Sequence, residues 1–573
     1  MQRSSPGSPS KSAGARGIRG CSTVPVAAAR APRVVRERSR YVAVGWKRGG
    51  WRVAAAATLV ALVATACAGG GTSGGDASGE PVAGGTLNIG LSADYNGVDA
   101  AVVNQVWRTV ARALSDSLVF YNPDTKGLEP WLATSWEVTD ARIYHFTLRE
   151  DVTFHDGTEL TGDVVKKNFE SLARPGIHSS AKTIVEGIRQ ITVPSKYEVI
   201  VEFDEPNAAF LTSLSRAHAA IVSEKTAALP VNERQKWVDG SGPFYLESYV
   251  PNQQIVLKKR PEYNWAPAYF GRTGAAYLDE VVYKIIPEDS VRNGAVIGGE
   301  ELQFIYWVNG KYVDQLEAAG LTIAKTLNPA TGTELPVNTS SKFLRDVRVR
   351  QALQIGVDRE EYVKIVSHGH DEPAKGPLSP ANPYFSDVSE FLEYDPDRAV
   401  KLLEEAGWGT VGPDGIRVDA AGERLSLRGP QDTAGWQVLQ SQWRELGVEL
   451  VLDPPLAAEA NQKLLSGEYD IAYWYHSTPD PDVLRANYGK TTGSNRSFLP
   501  DGTEADRLLQ EQNTVLDKQA RQEIVDKAAR ELVEQAYVIP VVNDVDIWAY
   551  QPTLHGIQAV GLDQYLYNAW LEQ

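Results

Sequence analysis

Apolar residues recur along this chain with two periods, and each period predicts a kind of element. Strict alternation marks half-buried strands: Thr86 to Leu91, then Arg142 to Leu148 with Tyr144, Phe146 and Leu148 on one face, then Glu198 to Phe203. Helical spacing carries Val165, Phe169 and Leu172 behind a capping Thr161, and Val349, Leu353 and Val357 behind Asp346. A third helix is bracketed on both sides: Asp395-Pro396 opens it, Ala399, Leu402, Leu403 and Ala406 form its stripe, and Gly407 stops it. Strands and helices are mixed, so the pattern predicts an α/β protein.

A further apolar run has neither period. Val53 to Ala66 is fourteen residues long, follows Lys47, Arg48 and Arg52, and ends on small residues before Cys67. That is the layout of an export signal, and it falls short of the roughly 17–25 residues a spanning helix needs. Ala64-Thr65-Ala66-Cys67 resembles a bacterial lipobox, which implies lipidation of Cys67 and anchoring by two acyl chains. Residues 67–83 are rich in Gly and Ser and are expected to act as a flexible tether with a reach of about 20–25 Å. Residues 1 to about 41 are rich in Arg, Ser and Pro and fit no signal. A downstream start at Val42 or Val44 is therefore expected, with 1–66 read as upstream segment plus signal.

Charge narrows the function classes. The formal net charge is −16, and 1–66 holds 12 basic residues and one acidic, leaving 45 basic and 72 acidic beyond it, a net of −27. Such a surface argues against nucleic acid as a partner. With Cys21 upstream of the cleavage point, one cysteine remains and no disulfide can form, so packing must hold the fold. Gly489-Lys490-Thr491 lacks the earlier glycine of a phosphate loop. The Gly-x-Ser-x-Gly match at 71–75 lies in the tether, away from the strand and helix that a hydrolase elbow requires. His368-Gly369-His370-Asp371 could offer metal ligands but reads as a solvated loop; no cofactor and no metal are expected.

Four segments then carry a family resemblance: Tyr144 through His155-Asp156-Gly157 to Val165; Gly240-Ser241-Gly242-Pro243-Phe244-Tyr245; Arg345 to Leu353 continuing to Asp358-Arg359; and Tyr394 to Trp408. In this order they resemble the extracytoplasmic solute-binding proteins of the peptide/nickel family that feed ABC importers. The resemblance implies a two-lobed periplasmic-binding-protein fold with an extra domain inserted in lobe one. By order, lobe one would take 84–121, 240–335 and 531–573, the inserted domain 122–239 and lobe two 336–530, with hinge crossings near Pro336 and Glu531. It also implies a monomer on the outer face of the cell membrane that closes on a peptide-like or other mid-sized polar solute and delivers it to permease subunits. A surface sensor or chaperone-like lipoprotein is the alternative; a hydrolase would need a nucleophile and base constellation that the sequence does not present.

Tyr473 to Asp482 resembles the segment that lines the interlobe cleft in that family, which makes Trp474, Tyr475, His476, Ser477 and Asp480 candidate ligand contacts. Aromatic side chains suit a wall that offers rigid contact area with a polar handle. Peptide-binding members place an aspartate for the ligand's α-amino group three residues before the position of Asp480, and here that position is Ser477. A hydroxyl cannot supply that charge-assisted bond, so Asp480 or Asp482 of the same loop is a substitute candidate. Tyr95 and Asn96 after the first strand, Trp307 after the strand-like run from Leu302, and Trp436 complete the set.

Overall fold

The computed structural model describes residues 79–572 apart from 95, 103–107, 432, 457–458, 474–477 and 491–493. The signal, Cys67 and the tether up to 78 lie outside the described residues. No helix among those described is long and apolar enough to cross a membrane.

Lobe one is built on a seven-stranded mixed sheet ordered Thr322–Leu327, Val545–Tyr550, Phe304–Ile305, Thr86–Leu91, Glu280–Ile285, Gln254–Lys259, Phe244–Val250. The first strand of the chain is central and runs parallel to both neighbours. Its apolar positions alternate, and Leu87, Ile89 and Leu91 are fully buried. Both other predicted strands form, at Ile143–Leu148 and Glu198–Phe203, in a four-stranded antiparallel sheet with Ala133–Thr139 and Ile188–Thr192. Tyr144, Phe146 and Leu148 all face its core, as the alternation requires. This inserted domain shares one continuous apolar core with lobe one, from Leu87 and Trp548 to Tyr144 and Phe210.

Lobe two has its own core, containing Leu353, Leu403, Trp443 and Ile471. The predicted helices appear at Val347–Ile355 and Pro396–Glu405. Asp346 accepts from the Arg348 N–H, and Asp395 from the Arg398 N–H. The stop at Gly407 takes φ of 96°, a conformation that costs glycine least. Parallel strands Ser426–Gly429 and Glu449–Leu452 flank helix Ala434–Glu445.

The hinge lies elsewhere than the sequence order suggests. Strand Val538–Asn543 pairs with Thr333–Pro336 and Glu372–Pro373 in a three-stranded sheet of lobe two. Helix Lys518–Glu534 packs in the same lobe, contributing Val525, Ala528 and Leu532 to a core with Leu484 and Tyr488. The chain therefore crosses at 328–332 and again at Asp544, correcting the expected crossings at Pro336 and Glu531. The reason is strand pairing: 538–543 reads as a strand but carries nothing in its own pattern that names its partner sheet.

The Gly240-Ser-Gly-Pro segment earns its residues by close approach. A Cβ at Gly240 would stand 1.9 Å from the Leu114 carbonyl oxygen, and one at Gly242 2.5 Å from that of Ala113. Ser241 Oγ donates to Asp116 Oδ2 at 3.0 Å, as does Trp265 Nε1 at 2.8 Å. Together these fix the C-terminal end of helix Arg108–Leu114. Gly240→Ala is expected to lower unfolding stability by about 1–3 kcal/mol, the range for overpacking; a urea titration with an unshifted midpoint would show that the backbone there is not in contact.

Candidate functional site

Helix Arg108–Leu114 presents Arg108 and Arg112 to a small cavity where lobe one, the inserted domain, the first crossing and lobe two meet. The cavity measures about 60 Å³. Arg216 and His218 reach it from the inserted domain, Asp563 from the C-terminal segment, Pro329 from the crossing and Pro479 from lobe two. A space of that size holds a few waters or one small polar group, whereas a mid-sized ligand occupies several hundred Å³. It can be one corner of a ligand site, not the whole of one.

The charges in that corner are unequal. Arg112 donates from Nε to Asp563 Oδ2 at 2.6 Å, from Nη1 to Ser117 Oγ at 2.9 Å, and from Nη2 to the Ser215 carbonyl. Arg108 lies 3.7 Å from the other Asp563 oxygen. Burial pushes Arg216 down to about 10, with Arg108 adding to the effect and Asp563 opposing it; at neutral pH the guanidinium keeps its charge. His218 is driven well below its ordinary value, chiefly by burial and then by Arg216, so its imidazole is neutral there.

A second polar group sits at the hinge. Asn328 N–H donates to the Asp544 carbonyl at 3.1 Å, and Thr333 Oγ1 to Asp544 Oδ1 at 2.8 Å. Asp371 Oδ1 accepts from the Val545 N–H at 2.9 Å. Burial, and then Asp371, raises Asp544 to about 7, and Asp546 is raised mainly by burial. Tyr473 adjoins this group, its phenol held up by burial and by Asp544. Of the segment expected to line the cleft, Tyr473 thus adjoins the hinge and Pro479 lines the arginine cavity.

The individual candidates separate. Trp474, Tyr475, His476, Ser477 and Tyr95 lie outside the described residues. Trp307 is 38% exposed, has φ of 53° and hydrogen-bonds Asp546. A bulky residue held in the left-handed region costs about 1–3 kcal/mol and tends to mark functional sites. Asn96 is exposed, with φ of 63°, in a turn where its N–H donates to Asp94 Oδ1 at 2.8 Å. Asp94 also accepts from Tyr249 and from the Asn252 N–H, which pins that turn.

Trp436 is 3% exposed in the lobe-two core, its Nε1 donating to Gln431 Oε1 and its ring against Gly429. It offers a ligand no surface. Asp480 is equally enclosed: Arg521 Nη2 donates to Oδ1 at 2.7 Å and Nη1 to Oδ2 at 3.2 Å. Its carboxylate is committed to tying the 480 turn to helix Lys518–Glu534, not free for a ligand ammonium. His155 stacks on Tyr245 at 4.1 Å in the turn, and His370 Nδ1 lies 3.2 Å from Lys325 Nζ. Among the described residues, no group of three or more His, Cys, Asp or Glu is placed to hold a metal.

Sequence reasoning missed Arg108, Arg112, Arg216 and Asp563. Nothing local distinguishes them from surface charges; only the fold brings residues 108, 216 and 563 to one cavity. A further junction also escaped it: the N–H groups of Ala208 and Ala209, in the inserted domain, donate to the backbone carbonyl and Oδ1 of Asn513 in lobe two, at 2.8 and 3.2 Å.

Two lobes joined by a double crossing, with a polar cavity between them, define a binding protein of the solute-capturing class. The family model for bacterial extracellular solute-binding proteins, family 5, matches residues 127–496, more than half of the chain. The chain belongs to that family. It serves as the binding component of an ABC importer, taking up a solute between its lobes for delivery to a membrane permease. A probable D,D-dipeptide-binding periplasmic protein of Escherichia coli is 28% identical over 508 residues, covering 82% of this chain and 92% of that protein. The structure of an A. tumefaciens R10 binding protein in complex with agropinic acid is 25% identical with a TM-score of 0.68, covering 85% of this chain and 99% of that one. The Brucella suis protein NikA, solved with Fe(III)-EDTA, shares the fold at 20% identity and a TM-score of 0.74, covering 85% and 100%.

Two outcomes follow. Asp480→Asn is expected to cost stability, on the order of the 3–5 kcal/mol for breaking a buried pair, while leaving ligand affinity unchanged in the folded fraction; calorimetric titration with an affinity loss and an unchanged melting point would return Asp480 to the ligand. Asp544 has a folded value above its unfolded one near 3.8, so the folded state binds that proton more tightly. Its contribution is full below about pH 4 and lost as pH rises through about 7. The melting point of Asp544→Asn minus wild type should climb across that window, and a flat difference would place Asp544 in water.

Proposed function

We propose that the chain is a lipid-anchored monomer, held on the outer face of the cell membrane through Cys67, that captures a peptide-like, opine-like or other mid-sized polar solute and catalyses nothing. The observation that carries the solute class is the polar cavity at the lobe junction, lined by Arg108, Arg112, Arg216 and Asp563. In this reading Trp474, Tyr475, His476 and Ser477 contact the ligand, as do Trp307, Tyr95 and Asn96. A D,D-dipeptide and agropinic acid, the compounds in the names of two relatives, are both mid-sized and polar. The acidic surface beyond residue 66 disfavours nucleic acid.

Solute capture is tested by thermal shift and native mass spectrometry against peptides, opines, oligosaccharides and chelated nickel. A true ligand at a hundredfold its Kd should stabilise the protein by about 2.7 kcal/mol and be recovered unchanged; consumption of a probe would overturn the non-catalytic reading. Trp474→Ala should lose affinity while still folding, and an unfolded variant would put Trp474 in the core. Metabolic labelling with a fatty acid should mark the wild type and not Cys67→Ser; equal labelling would move the anchor elsewhere.

A further inference from the structure

We propose that Asn513 is a positioning residue for solute capture, an inference that rests on the solute being held between the lobes. It bridges lobe two to the inserted domain in the closed form alone, and so sets how firmly any solute is held without touching one. Asn513 ends helix Glu504–Gln512 and is 5% exposed. Its carbonyl accepts from the Ala208 N–H at 2.8 Å and its Oδ1 from the Ala209 N–H at 3.2 Å. The inserted domain shares one continuous core with lobe one. Lobe two has cores of its own and is linked to lobe one through 328–332 and Asp544. Rotation at those crossings that parts the lobes therefore parts Asn513 from Ala208 and Ala209. An N–H···O contact stretched to about 3.6 Å is no longer a hydrogen bond, so a small rotation is enough.

Both sides of this junction are continuous with the cavity walls. On the inserted-domain side, the Asn207 N–H donates to the Ala141 carbonyl at 2.8 Å, and the Asn207 carbonyl accepts from Tyr144 Oη at 2.5 Å and from the Phe210 N–H at 3.1 Å. The Phe210 ring packs on Tyr144 and Phe203, with centroids 4.9 and 4.8 Å apart. Helix Phe210–Leu214 starts there and delivers Ser215, Arg216, Ala217 and His218 to the cavity. On the lobe-two side, Arg521 Nε donates to the Gln512 carbonyl at 3.0 Å, and its Nη2 to Gln512 Oε1 at 2.8 Å and to Asp480 Oδ1 at 2.7 Å. Gln512 Nε2 donates to Asp482 Oδ1 at 2.7 Å, and Pro479, next to Asp480, lines the cavity. Each wall thus carries its own half of the junction. Bringing the walls onto a solute and forming the two bonds are one event, so the bonds raise the apparent affinity of every solute by the same factor, through the closed fraction. A residue in contact with the solute would instead favour some solutes over others.

The test uses the full-length chain with dyes on Glu186→Cys and Lys527→Cys, exposed positions of the inserted domain and lobe two, in a Cys21→Ser and Cys67→Ser background. Single-molecule energy transfer then reads the closed-to-open ratio with no solute present. Asn513→Ala should lower that ratio by about 2- to 12-fold, the equilibrium equivalent of one hydrogen bond. Asn513→Asp, whose carboxylate still accepts from the Ala209 N–H, should keep the wild-type ratio. If Asn513→Ala does not fold, Asn513→Ser, which withdraws the acceptor but leaves a polar group in place, replaces it. An equal ratio in wild type and the shortened variant overturns the proposal. Tri-alanine, octopine and maltotriose are then titrated. Every probe that binds wild type should lose the same factor of about 2 to 12 in the shortened variant, chiefly as faster release, and regain it in Asn513→Asp. Weakening confined to one of several bound probes overturns the positioning role and makes Asn513 a solute contact. A lowered closed-to-open ratio with none of the three probes bound keeps the junction and sinks the solute class proposed above.

Discussion

A single residue separates the two lobes on the return crossing. Val538–Asn543 is hydrogen-bonded into the lobe-two sheet, Val545–Tyr550 into the lobe-one sheet, and only Asp544 lies between them. Strand pairing fixes the chain on both sides, so relative motion of the lobes has to be absorbed in the dihedrals around Asp544 and in the 328–332 crossing beside it. The 328–332 crossing is held close: a Cβ at Gly332 would stand 2.0 Å from the Val542 carbonyl oxygen. A two-stranded hinge with so little slack favours rotation over sliding. Tyr473, Trp307 and the arginine cavity gather near the hinge acids, where a small rotation changes distances least and directions most.

The site depends on that arrangement in a second way. Buried carboxylates at the crossing are tolerated because they accept from Thr333 and from the Val545 N–H, while the arginines a short way off are tolerated because Asp563 and backbone carbonyls accept from them. Acid sits at the hinge and base at the inserted-domain side. The cavity lies between them, lined by Arg108, Arg112, Arg216 and Asp563.

Much of the fold was legible because its signals are local. Thr161, Asp346 and Asp395 cap the helices they were expected to cap, and the alternation at Tyr144, Phe146 and Leu148 is read directly as burial. The hinge was less legible, since Val538–Asn543 is buried at every position and a fully buried strand does not say which sheet it joins. The site was the least legible part. Trp436 and Asp480 have residue types that suit a ligand, yet packing encloses one and Arg521 takes the other; Arg216 looks like any surface cation until the fold brings it to the cavity.

The contact between Ala208, Ala209 and Asn513 bears on timing. It joins the inserted domain to lobe two by two hydrogen bonds, each with a net worth of about 0.5–1.5 kcal/mol. Their sum, about 1–3 kcal/mol, is roughly a 5- to 150-fold bias in an equilibrium. A fastener of that strength ties the inserted domain to lobe two without locking the two together. It is also weak enough for a relative motion of the lobes to break it at modest cost.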